Sequence, residues 1–111
     1  MTRRMLLPCA AAALLPVQGL AQGADLEGMT WTEQKCAFYD RAFDDAVGKV
    51  DAKGLSAAFL AQNEAFVAGG CTEYLRICPT SAQEYRLVDI LTLMTMNEGM
   101  ASTFVPFGCP Q

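Results

Sequence analysis

The sequence predicts an all-α fold: a small disulfide-stapled bundle of three main helices, built as a helical hairpin, a long C-terminal helix and a folded-back tail. Three observations lead there. Apolar residues recur at helical spacing in three stretches, and none shows the period-two alternation of a strand. Two sequences of the form S/T-x-x-E, Thr30 to Glu33 and Ser81 to Glu84, mark helix starts. Four cysteines remain once a predicted signal peptide is removed, and an even number in a small exported chain reads as two disulfides.

The N-terminus sets the compartment. Arg3 and Arg4 form a positive region, and Met5 to Leu15 is apolar. Pro16 breaks the run, and Gly19 and Ala21 supply small residues at the −3 and −1 positions. This is the pattern of a secretory signal peptide over residues 1–21, cleaved after Ala21, ahead of a single helical domain over 22–111. The apolar run is shorter than the roughly 20 residues of a membrane span. Pro8 before Cys9 does not fit a lipobox. The expected location is therefore periplasmic or secreted. Removing residues 1–21 takes away Arg3 and Arg4 from eight basic side chains and none of the twelve acidic ones. Six bases against twelve acids give a net charge of −6, which argues against nucleic acid and anionic lipid surfaces as partners.

The sequence contains no histidine. That excludes Ser-His-Asp and Cys-His catalysis, histidine-ligated metals and a histidine pH switch.

The first helix follows the Thr30–Glu33 capping box. Cys36, Tyr39, Phe43, Ala46, Val47 and Val50 fall on one face, and Asp40, Asp44, Asp45 and Lys49 on the other. That acidic group is a solvated face, because a calcium site needs more oxygen ligands at loop spacing. Asp51 to Gly54 reads as a turn. A second helix is expected from Leu55 to Ala68, with Phe59, Leu60, Phe66 and Val67 on its apolar side and Gly69-Gly70 as its stop. A short connection favours an antiparallel hairpin. Cys71 to Cys78 is a connector with room for one helical turn.

The stretch from Ser81 to Cys109 carries the strongest helix signals. The Ser81–Glu84 capping box starts it, and Asn97-Glu98-Gly99 ends it, with Gly99 suited to a left-handed residue just past the helix. Leu87, Ile90, Leu91 and Met94 share one stripe. Leu93, Met96 and Met100 lie on another, joined by Tyr85. A helix apolar on two sides needs cover on two sides. Glu98 extends the first stripe by one turn and is expected to leave the fraying helix end for water. In the tail, Phe104, Val105 and Phe107 are apolar, and Pro106 and Pro110 prevent regular structure.

The hairpin also sets the disulfides. Cys36 and Cys71 mirror each other about the Asp51–Gly54 turn, so in an antiparallel hairpin they lie side by side. Cys78 then pairs with Cys109 and folds the tail along the long helix. The rival connectivity joins Cys71 to Cys78 and Cys36 to Cys109. The cysteines lack the C-x2-C spacing of a zinc site or a redox motif. Thioethers suit Cu(I), but Met94 and Met96 point about 160° apart on a helix. Met96 and Met100, one turn apart, lack a histidine or thiolate to complete a site. No metal, cofactor or catalytic residue is expected. Asp89 with Glu98 as an acid/base pair is the alternative, a small carboxylate enzyme, and nothing marks a pocket for it.

The expected function is that of an exported, non-enzymatic binding or accessory protein. Leu93, Met96, Met100, Phe104 and Phe107 form its apolar contact surface for a protein partner or a second copy. In Met29-Thr30-Trp31-Thr32 ahead of Cys36, and in Val67 to Cys71 at a helix end, the chain loosely resembles the HdeA-type acid-stress chaperones. Those are small, periplasmic, helical and disulfide-bonded. The resemblance implies a periplasmic stress chaperone as the alternative function; those proteins carry one cysteine pair and this chain two.

Overall fold

The computed structural model describes residues 27–111; the predicted signal peptide and the start of the mature chain lie outside them. Among the described residues three helices make the fold: α1 (Trp31–Val47), α2 (Ala57–Ala68) and α3 (Ala82–Asn97). Single 3-10 turns at Ala52–Gly54 and Ser102–Phe104 stand before α2 and after α3. There is no strand among the described residues, and the sole β feature is an isolated parallel bridge between Ile77 and Phe107.

Each helix starts where a side chain can satisfy free backbone donors. Thr30 and Glu33 form a complete capping box on α1: Glu33 N–H donates to Thr30 Oγ1 at 3.1 Å, and Thr30 N–H donates to Glu33 Oε1 at 2.8 Å. Before α2, the expected turn is tighter than a plain loop. Asp51 caps a 3-10 turn, and Ser56 accepts from Phe59 N–H at 3.1 Å, so the helix begins after Ser56 rather than at Leu55. At the other end of α3, Gly99 takes φ +87° and Met100 N–H bonds back to the Thr95 carbonyl at 3.1 Å. This left-handed stop turns the chain sharply.

The disulfides join Cys36 to Cys71 and Cys78 to Cys109, with Cα separations of 5.3 and 4.6 Å. The first ties the start of α1 to the end of α2, so these two helices run antiparallel. The loop leaving α1 meets the start of α3. Asp51 N–H donates to Gln83 Oε1 at 2.9 Å, and the Ser81 hydroxyl donates to the Gly54 carbonyl. Hence α1 and α3 are also antiparallel, and this is the main helix–helix packing of the bundle.

The core lies between the three helices. Tyr39, Phe59, Leu87 and Leu91 are all but inaccessible to solvent. The fully buried Tyr39 hydroxyl donates to Asn63 Oδ1 at 2.6 Å, and Asn63 Nδ2 donates to the Phe59 carbonyl at 2.9 Å. Both polar groups are thus paired inside the core, where an unpaired one would cost about 1–3 kcal/mol. Burial also pushes the Tyr39 phenol well above its ordinary pKa.

The connector forms no helical turn. It runs beside the tail, where Ile77 N–H donates to the Pro106 carbonyl at 2.7 Å and Gly108 N–H donates to the Ile77 carbonyl at 3.0 Å. Arg76 adopts φ +53°, and its guanidinium donates to the Cys109 carbonyl at 2.9 Å. The second disulfide closes this pairing, so the tail is tied to the connector from Pro106 to Cys109.

Candidate functional site: the outer face of the C-terminal helix

Which side of α3 faces water is decided at its first turn. Ser81 caps the helix as expected, accepting from Glu84 N–H at 3.0 Å. Glu84 does not return the bond to Ser81, so the predicted capping box is only half made. Its carboxylate instead accepts from Ser56 N–H at 2.8 Å and from Thr80 N–H at 2.9 Å. The physical reason is tertiary: the start of α2 brings a free backbone donor within reach. Glu84 is 1% exposed. Desolvation by burial raises its pKa, but the hydrogen bonds from Ser56 and Thr80 outweigh it and hold the carboxyl below its usual range. A carboxylate at two helix N-termini is also favoured by both dipoles.

With Glu84 locked inward, Leu87, Leu91 and Thr95 follow at helical spacing, all buried. Thr95 escapes an unsatisfied hydroxyl by donating to the Leu91 carbonyl at 2.9 Å. The opposite face must then point to solvent. It carries Tyr85 (54% exposed), Leu93 (62%) and Met96 (48%), with Arg86 and Asp89 exposed beside them. Ile90 and Met94, at the flanks, pack partly against the core.

Of the five residues expected to form the contact surface, Leu93 and Met96 lie on this outer face. The other three turn inward. Met100 is 6% exposed, because the Gly99 reversal carries it back towards α1. Phe104 sits edge-on to Tyr39 and Phe66, with ring centroids 6.0 and 5.9 Å apart, and the Lys35 ammonium lies 5.1 Å above it. Phe107 stacks on Phe59 at 5.9 Å. The clamp that holds the tail is what draws both rings into the core. The exposed surface is therefore narrower than predicted and centred on α3 alone.

Glu98 caps the helix end and is exposed, as expected. It borders a hollow of about 130 Å³ between the ends of α1 and α3, with Met100 and, from α1, Trp31, Lys35, Phe38 and Arg41. Trp31, 55% exposed, was not singled out from the sequence as a surface residue; its place at the first position of a capped helix was the available sign. No group of three or more metal-ligating side chains converges among the described residues. Nor is any helix there long and apolar enough to cross a membrane. The two disulfides are consistent with an oxidising, extracytoplasmic compartment. Comparison with known proteins gives no match of this chain to a protein-family model, a curated protein or a solved structure.

Proposed function

We propose that the chain is an exported, non-enzymatic binding protein that docks a protein partner on the outer face of α3. The observation that carries this reading is the row of Tyr85, Leu93 and Met96, each about half exposed or more, on one side of one helix. Exposing large apolar side chains to water is unfavourable, and several of them on one side of a small domain mark a contact surface. Methionine and tyrosine suit such a surface, because one adapts in shape and the other adds a polar tip. The absence of histidine from the sequence removes histidine-based acid–base catalysis from consideration.

A photo-crosslinking amino acid placed at Met96 of the exported protein tests the reading, with the exposed Gln62 of α2 as the control position. One defined adduct from Met96, absent from Gln62 and lost in Leu93→Glu, is the expected result. Equal labelling from both positions, or none from Met96, would sink the proposal. Sedimentation of the purified protein distinguishes a second copy from a different partner.

A further inference from the structure

The connector and the tail leave a cleft between them that is separate from the α3 face. Two hollows, about 180 and 450 Å³, meet at Tyr74 and Thr103. Thr72, Glu73 and Phe104 border the smaller, and Ser102, Val105 and Phe107 the larger. The larger falls within the roughly 300–1,000 Å³ of small-molecule sites.

Tyr74 stands between them, 54% exposed. Its ring is nevertheless fixed. The hydroxyl donates to the Phe107 carbonyl at 2.6 Å, and a Cβ on residue 108 would lie 2.6 Å from that hydroxyl, so Gly108 makes room for it. Both walls are anchored, Cys71 to Cys36 and the tail through Cys78–Cys109. The result is a rigid aromatic plate held in solvent by hydrogen bonding and covalent bonds rather than by apolar burial. Such preorganisation lowers the ordering cost of binding.

The lining chemistry defines the ligand. Thr72, Ser102, Thr103 and Tyr74 contribute hydroxyls, Glu73 one carboxylate, and among the described residues neither hollow is lined by Lys or Arg. We propose that this cleft binds a neutral saccharide unit. A sugar ring presents C–H groups on one face, which rest on the Tyr74 ring. Its hydroxyls exchange hydrogen bonds with Ser102 and Thr103 and donate to Glu73. Phosphate and uronate ligands are disfavoured by a cleft whose described lining carries the Glu73 carboxylate and no Lys or Arg.

The test is saturation-transfer NMR on the exported, disulfide-bonded protein with two neutral trisaccharides, one of glucose and one of N-acetylglucosamine. Transfer to the ring C–H protons of at least one is expected. Tyr74→Ala should weaken binding about tenfold, since it removes the stacking plate. Thr103→Ala should weaken it less, and Met96→Glu, on the separate α3 face, should leave it unchanged. Circular dichroism and intact mass establish that the variants are folded with both bridges closed; if Tyr74→Ala does not fold, Tyr74→Phe and Thr103→Ala carry the comparison. Absence of transfer from both sugars, or transfer indifferent to these cleft variants, overturns the proposal. So does a polyproline peptide that shifts the Tyr74 resonances where neither sugar does, because the cleft would then read peptide.

Discussion

The two faces of α3 invert what side-chain type alone would assign. The inner face buries Glu84 and Thr95 beside Leu87 and Leu91, all four at 1% exposure or less. The outer face leaves Leu93 62% and Met96 48% exposed. A carboxylate is inside and a leucine is outside on the same helix. The difference is set by partners rather than by polarity. Glu84 finds two backbone donors at the start of α2 and in the loop before α3, and Thr95 finds a carbonyl one turn back. A buried polar group that is fully paired costs little. Among the described residues no element covers Leu93, since α1, α2 and the tail pack on the other side.

The sharpest way to separate the faces is to truncate each. Leu91→Ala, on the inner face, should destabilise the protein by about 3 kcal/mol, because it removes a fully buried side chain and leaves a cavity. Urea unfolding followed by circular dichroism measures it. A loss well below about 1 kcal/mol would show that the inner face is loosely packed.

Glu84→Gln should follow, at about 1–2 kcal/mol near neutral pH, since it exchanges a charge-assisted bond for a weaker one. Its pH dependence is the more telling signature. The folded carboxyl titrates below its ordinary value of 4.5, so the unfolded chain binds the proton more readily than the folded one. Glu84 thus contributes stability that is present above the unfolded pKa and lost as pH falls through the folded one. Stability measured between neutral and strongly acid pH should therefore fall less steeply in Glu84→Gln than in the native protein. Parallel profiles would mean that Glu84 gains nothing from its ionised state.

Leu93→Ser should have the smallest effect, within about 0.5 kcal/mol, because its side chain is largely in water already. It should still reduce crosslinking at Met96. Destabilisation of 2 kcal/mol or more would place Leu93 in the folding core and erase the contrast between the faces.

The sequence was informative wherever a signal was local or symmetric. Thr30 with Glu33, Ser81 as a cap, and Gly99 as a stop are read from neighbouring residues, because a cap is made within one turn of chain. The Cys36–Cys71 bridge was legible because mirroring about a short turn is a geometric constraint that needs no knowledge of packing. The two stripes of α3 were legible from helical period alone. Three things were decided only in the folded molecule. Glu84 bonds Ser56, 28 residues away, and no local pattern names that donor. Phe104 and Phe107 pack inward because the tail is pinned against Ile77, which depends on where the second bridge holds it. Tyr74 becomes a fixed, exposed ring because Gly108 and the Phe107 carbonyl meet it across 33 residues of sequence. Capping and period act over a few residues, so the sequence alone sets them. Burial and long-range hydrogen bonding depend on which distant groups are brought together, so tertiary structure selects among the faces that the sequence offers.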